Sequence, residues 1–219
     1  MGDVHSNALA VTQILSKYDP HYYELVWLGD FINSKKPHTS DKEVEYVLLT
    51  LLERCEHYVH SNHMHILFQY LHQTVINPHK SQNLSCFWNG WAQTKRVVDS
   101  LHPSIKRQLY KFIEKSKYVI EVHHDDLKII AAHSSPRVQF NHLIKNHLDD
   151  DQAMTIGMKA HRNFWKDREM RHIIDAFDYV ICGHHGFISR LGNVRICDNR
   201  GIQVPTWNPV TDEFRLFPQ

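Results

Sequence analysis

Four apolar runs in this sequence each stop abruptly at a residue that can ligate a metal or hold a proton. Residues 24–28 (ELVWL) stop at Gly29-Asp30, and residues 57–60 stop at Ser61-Asn62-His63. Leu127–Ala132 stops at His133, and Tyr179–Cys182 stops at Gly183-His184. Short apolar runs bounded by turn residues read as buried strands. In open α/β sheets, ligands gather beyond the carboxyl ends of the strands. Independent strands that release Asp, Asn and His at one edge therefore point to one convergent site on an α/β (α+β) fold.

A fifth element lies at the start. Asp3 and His5 are alternate residues, so an extended backbone points both to one side. They run into a helix with Leu9, Val11, Ile14 and Leu15 on one face and Asn7 as its N-cap. No strand precedes Asp3, so a first strand is expected to be missing.

The rest of the chain supplies the frame. Ser40-Asp41-Lys42-Glu43 is a capping box opening a helix through Leu52, and another helix runs through Leu67 and Leu71. Residues 74–93, with Trp88-Asn89-Gly90-Trp91, read as an ordered irregular loop. Pro103 starts a helix, residues 118–122 and Leu127–Ala132 form strands joined at Asp125-Asp126, and residues 141–176 read as helix with breaks. The tail from residue 194 alternates short strands and turns. With no repeats and no linker, residues 1–219 read as one domain.

Composition excludes more than it selects. Lys+Arg 25 against Asp+Glu 24 leaves a formal charge of +1, which gives no electrostatic case for nucleic acid or an anionic membrane. Cys55, Cys86, Cys182 and Cys197 are far apart and form no CxxC pair, as in a cytoplasmic protein with reduced thiols. No signal peptide or bilayer-spanning apolar run is seen. Of the 19 histidines most are incidental, and only position relative to strand ends selects the functional ones.

The selected residues share a chemistry. Asp30 is a carboxylate able to bridge two ions, Asn62 offers a carbonyl oxygen, and His133 and His184 offer imidazoles. Mixed oxygen and nitrogen donors suit Mn, Fe or Zn better than Ca. Two such ions about 3.5–4 Å apart clamp a phosphate and acidify a water between them.

At these residues the sequence resembles the calcineurin-like metallophosphoesterases. GDVHSN is similar to that family's GDxHGN, LGDFINSKKP to GDxxDRGP, SNH to GNH, AHSS to the AH element and CGHH to GHT. More narrowly it resembles the phosphoprotein phosphatase branch, which includes bacteriophage lambda phosphatase and the symmetrical dinucleoside tetraphosphatases. WNGWAQT, FWKDRE and GNVRICDNRG are similar to that branch's NGG-x-x-T, W-x-R and GNV-x-x-x-DTG elements. The resemblance implies a four-layer fold, a central β-sandwich of mixed sheets flanked by helices. It implies two divalent metals, Mn first, with Fe or Zn as alternatives. One would be held by Asp3, His5 and Asp30, the other by Asp30, Asn62, His133 and His184. It makes His63 the general acid, and hydroxide held by the metals the nucleophile on a phosphomonoester, including phosphoserine or phosphothreonine in proteins. Arg168 is the implied phosphate-binding arginine, and Lys35 or Lys36 is the expected point-charge replacement for the guanidinium that GDxxDRG supplies. A dinucleoside polyphosphate hydrolase and a non-catalytic relative that binds a phosphorylated ligand are the alternatives.

The departures are specific. The second Asp and the Arg of GDxxDRG are Asn33 and Ser34 here, and the acidic residue after GNH is Met64. Asn33 can accept a hydrogen bond from an imidazole but cannot stabilise imidazolium with a charge, so slower turnover with retained metal binding is expected. Without an anchoring first strand, Asp3 and His5 are expected to bind metal weakly.

Overall fold

Two side chains start the first helices. Asn7 Oδ1 accepts the Ala10 N–H of α1 (Ala8–Lys17), and Ser40 with Glu43 closes a capping box on α2 (Asp41–Arg54). Caps of this kind are worth about 0.5–2 kcal/mol each. The structure, a computed structural model, describes residues 1–19, 22–33, 39–77, 90–136 and 164–218. In order, the remaining elements are β1 (Val26–Trp27), β2 (His57–Tyr58), α3 (Asn62–Leu71), α4 (Trp91–Ser100) and α5 (Pro103–Glu114). They continue with β3 (Val119–His124), β4 (Leu127–Ala132), α6 (Arg168–Ile174), β5 (Tyr179–Cys182), β6 (Ile188–Leu191), β7 (Val194–Cys197), β8 (Val204–Asn208) and β9 (Glu213–Phe217). The architecture is mixed α and β.

Strands β3-β4-β5-β7-β6 form one sheet in that order, parallel through β4, β5 and β7 with antiparallel strands at both edges. β1 pairs with β2 in parallel, and β8 with β9 antiparallel. The first two residues join these pairs. The Met1 ammonium donates to Val26 C=O and Met1 C=O accepts from Leu28, while the Gly2 N–H donates to Pro205 C=O.

Period-2 alternation divides the core between the two faces of the large sheet. Ile129, Ala131 and Ile181 point towards Leu28 and Val59, whereas Ile130, Ala132, Val180 and Cys182 pack with Phe164, Met170 and Ile174. Helices α1 to α5 share a third cluster with Trp27, Tyr58 and Val204. Because β4, β5 and β7 are parallel, two of their carboxyl ends deliver His133 and His184 to the same edge.

The structure differs from the sequence expectations in three places. Residues 24–28 read as a five-residue strand, but only Val26–Trp27 is laddered with β2. Residues 74–93 read as irregular, yet α4 begins at Trp91, behind a wide helical turn at His72–Ile76. Gly90 caps α4 at φ 79° with no side-chain hydrogen bond, so no polar N-cap announced the start. Strand β6 was not anticipated because its residues are half-buried or exposed and lack clean alternation. Of residues 141–176, those up to 163 lie outside the described residues, as do Trp88 and Cys86; the remainder forms a short 3-10 turn (Phe164–Lys166) and α6. Among the described residues, no helix is long and apolar enough to cross a membrane.

A buried polar chain ties β2 to the start of β3. The Ser116 hydroxyl donates to Ile113 C=O (2.6 Å), so it accepts from His60 Nδ1–H (2.7 Å). His60 Nε2 in turn accepts from His65 Nδ1–H (3.0 Å). Burial disfavours a charge on either ring: it pushes His65 down to about 4 and, helped by His65 and His133, holds His60 well below 6.5. Both folded values lie below the unfolded value of 6.5, so both contribute stability that is present above pH 6.5 and declines as pH falls below it, for His65 down to about 4. Thermal melts in chelator-containing buffer are expected to show the midpoint falling through that window. His65→Gln is expected to flatten the fall.

Candidate metal centre

Two left-handed turns build the centre by locking onto one another. The N–H groups of Val4 and His5 donate to Asp30 C=O (3.1 and 2.7 Å), and the Ser6 N–H donates to Phe31 C=O (2.8 Å). His5 (φ 46°), Ser6 (58°), Asp30 (45°), Asn33 (63°) and His184 (63°) all have positive φ. Such backbone costs of order 1–3 kcal/mol per residue and clusters where surrounding structure enforces it. Asp3, His5, Asp30, Asn33, His63 and His133 are buried, while Asn62 and His184 are partly open to solvent.

Asp30 is common to two ligand sets. His5, Asp30 and His63 bring ligand atoms within 4.8 Å of one another, and so do Asp30, His133 and His184. Asp30 Oδ2 lies 3.6 Å from both His5 Nε2 and His63 Nε2, and Asp30 Oδ1 lies 3.4 Å from His133 Nε2. Asp3 completes the floor. Its Oδ2 accepts from the His184 N–H (3.1 Å) and lies 3.9 Å from His5 Nε2, with Oδ1 3.8 Å from His133 Nδ1. Asn62 Oδ1 is 3.0 Å from His133 Nε2.

Hydrogen-bond partners assign the ring protons. His133 Nδ1–H donates to Leu28 C=O (2.7 Å), and His5 Nδ1–H is 3.2 Å from both Ile32 C=O and Asn33 C=O. Both rings therefore turn an Nε2 lone pair towards Asp30. His63 is held the other way. Thr94 Oγ1 accepts the Asn33 backbone N–H (3.3 Å) and donates to Asn33 Oδ1 (2.8 Å). This orients Asn33 Nδ2 to donate to His63 Nδ1 (2.5 Å) and leaves the His63 proton on Nε2. His5 and His133 thus turn a lone pair, and His63 an N–H, towards Asp30.

These contacts test whether the residues suit a cation. His133 Nε2 carries a lone pair that faces Asn62 Oδ1 and Asp30 Oδ1, which are acceptors as well, and His184 Nδ1, whose proton could satisfy it at 3.0 Å. Asp30 Oδ1 is buried and accepts no hydrogen bond among the described residues. A buried carboxylate oxygen that faces further acceptors is costly unless a positive charge lies beside it, so the donor set fits a metal. Burial would raise the Asp30 carboxyl, but the His63, His133, His5 and His184 imidazoles around it hold it well below the usual carboxylate range. Burial, helped by His133, lowers His184 to about 3 against the opposing pull of Asp30, so its ring is neutral and able to ligate at neutral pH.

Six positions singled out as metal ligands in the sequence thus meet at one edge, with His63 and Asn33 beside them. Arg168 is exposed at the start of α6, and no hydrogen bond or ion pair links it to this edge among the described residues. Lys35 and Ser34 lie outside the described residues. Asn62 is the first residue of α3, and Ser61 is the N-cap. Ser61 Oγ accepts the Met64 N–H (3.3 Å) and also the Asp30 N–H (2.9 Å).

Ser61, Thr94 and Asp198 stand in the SNH, WNGWAQT and GNVRICDNRG segments of the resemblance, but no role was assigned to them from the sequence. Asp198 follows β7 directly, so the same strand-end rule would have found it. It is buried and accepts from the backbone N–H groups of Gly186 and Arg200, anchoring the loop that carries His184.

Comparison with solved structures shows one whose fold this chain shares. A hypothetical protein from Pyrococcus horikoshii OT3 matches with a TM-score of 0.54 at 10% identity, over 99% of this chain and 85% of that one. A novel archaeal phosphodiesterase matches with a TM-score of 0.39 at 13% identity, over 99% and 96%. No protein-family model matches the chain, and no curated protein does.

Gly183 is the tightest point of the site. A Cβ there would lie 2.2 Å from Asp3 Oδ1 and 3.6 Å from His133 C=O. Gly183→Ala is therefore expected to push the Asp3 carboxylate out of place and weaken metal binding by roughly tenfold or more, in line with the 10–100-fold losses caused by disturbed ligand support. Calorimetric titration with Mn checks this, with circular dichroism reporting an unchanged fold.

Proposed function

We propose that this chain is a metal-dependent phosphoesterase acting on phosphomonoesters, with phosphoserine or phosphothreonine in proteins among its substrates. The observation that carries the reading is Asp30, a buried carboxylate shared by two sets of metal-capable side chains. The chain is read as a single domain of the four-layer metallophosphoesterase type. Its layers are α1 to α5, the β1/β2 and β8/β9 strands joined through Met1 and Gly2, the five-stranded sheet, and α6. The free thiols of Cys55, Cys182 and Cys197 accord with a reducing, cytoplasmic compartment.

Asp3, His5 and Asp30 would hold one divalent ion, and Asp30, Asn62, His133 and His184 a second, with Mn the first choice and Fe or Zn next. When bound, the pair would acidify water and neutralise phosphate charge. The chain's own contribution is positional. Leu28, Ile32 and Asn33 carbonyls fix the ligand rings, and Asn33 keeps the His63 proton on Nε2, 3.6 Å from Asp30 Oδ2. That proton is the one a departing alkoxide would take. A neutral imidazole is a poorer acid than imidazolium, so leaving groups of high pKa are served slowly. Arg168 and Lys35 are the proposed phosphate contacts.

The test is hydrolysis of p-nitrophenyl phosphate and phosphopeptides by chelator-stripped protein reloaded with Mn. Stripped protein and Asp30→Asn are expected to be inactive. His63→Gln is expected to keep its metal and lose about 10²–10⁴-fold in turnover of alkyl phosphates, and less with the p-nitrophenyl leaving group. Asn33→Asp, which turns a donor to Nδ1 into a charged acceptor, is expected to raise turnover of alkyl phosphates. Mn-loaded protein that hydrolyses no phosphoester would sink the proposal.

A further inference from the structure

The corner made by His133 and His184 continues outward as a run of rings. His133 and His184 meet edge-on with centroids 4.8 Å apart, and His185 follows 6.1 Å beyond His184. Trp165 meets His185 edge-on at 5.4 Å, and Phe187 lies 6.3 Å from the same ring. Trp165 and Phe187 are perpendicular, with an interplanar angle of 86° and centroids 6.5 Å apart, and Phe164 backs Trp165 at 5.3 Å. The cluster runs from a fully buried end at Phe164 to Phe187, which is 42% exposed.

The ledge is also braced. His185 Nε2–H donates to Ser134 C=O (3.1 Å), next to the ligand His133. The Gly186 N–H, held by Asp198, fixes the backbone one residue before Phe187. The Arg200 guanidinium covers Gly186 so closely that a Cβ there would meet Nε at 3.0 Å. An exposed phenyl group on a pinned loop, perpendicular to a neighbouring indole, is a preorganised surface for a flat ring. It stands two ring steps from a metal-capable imidazole, 6.3 Å from His185, which is 6.1 Å from His184.

We propose that Phe187, backed by Trp165, is a specificity residue that receives a flat aromatic ring of the substrate's leaving group while the phosphate occupies the Asp30 corner. This inference rests on the phosphoester reading for the phosphate, but not for the ring. Three probes of equal phosphate charge separate the contributions: adenosine 5′-monophosphate, phenyl phosphate and ribose 5-phosphate, which has no aromatic ring. Their binding to the full chain is measured by calorimetry with and without Mn, for the parent, Phe187→Ala and Phe187→Tyr.

The ring-bearing probes are expected to bind the parent more tightly than ribose 5-phosphate. Phe187→Ala is expected to weaken them roughly tenfold while Mn affinity stays constant, and Phe187→Tyr is expected to retain them. An advantage limited to adenosine 5′-monophosphate identifies the ring as a nucleobase reached across a sugar, and one limited to phenyl phosphate identifies an aryl group held close to phosphorus. Either supports the ledge. Equal affinity of all three probes for the parent, or equal weakening of all three in Phe187→Ala, overturns it. A ring preference that persists where no metal binds leaves the ledge standing and removes the phosphoesterase. If no probe binds even with Mn, both fall.

Discussion

The site depends on the backbone carbonyl of Asp30. It accepts the N–H groups of Val4 and His5 together, so the turn that ends β1 and the turn that carries Asp3 and His5 have one relative position. Everything else in the centre is referred to that contact. The carbonyls of Ile32 and Asn33 orient His5, the Asp30 carboxylate faces three imidazoles, and the Asp3 carboxylate reaches across to the His184 N–H. The strain of four left-handed residues, His5, Ser6, Asp30 and Asn33, is tolerated because the two turns determine each other rather than relaxing independently.

A second constraint is the allocation of protons. Four imidazoles around one carboxylate could carry their protons in many ways, and most would defeat metal binding. For His5, His63 and His133, partners outside the cluster make the choice, whereas His184 Nδ1 faces His133 Nε2. Carbonyl oxygens take the Nδ1 protons of His5 and His133, whereas an amide, itself oriented by Thr94, gives a hydrogen to Nδ1 of His63. The rings proposed as ligands and the ring proposed as the acid are thus distinguished by what stands behind them, which is how outer partners tune a metal site.

Much of this was legible in the residues. Asp30, Asn62, His133 and His184 each follow an apolar run, and parallel pairing of β4 with β5 and of β1 with β2 explains why those ends coincide. The capping box on α2 and Pro103 at the head of α5 are local signals that tertiary packing left intact. What could not be read is carried by main-chain atoms. The carbonyls of Leu28, Ile32 and Asn33 have no sequence signature, so ring tautomers were beyond reach. The start of α4 was hidden because a glycine in left-handed backbone caps it, and β6 because an edge strand has little burial to enforce alternation. Asn33 was visible as a lost charge. That its amide acts as a donor became visible only with Thr94 beside it.

Ser61 stands where the resemblance has glycine, and its hydroxyl serves the first turn of α3 and the backbone of Asp30 at once. That arrangement is possible because the facing residue, Gly29, has no side chain; a Cβ on Gly29 would lie 2.6 Å from that of Ser61. The two positions share a space that holds one β-carbon. In a lineage of such chains they are therefore expected to drift as a pair, position 61 enlarging only where position 29 stays bare. The Ser61 hydroxyl acts as a mechanical pin between the Asp30 backbone and the turn of α3 that carries Asn62, so the spacing of those two side chains is set by the fold and is not adjusted one residue at a time.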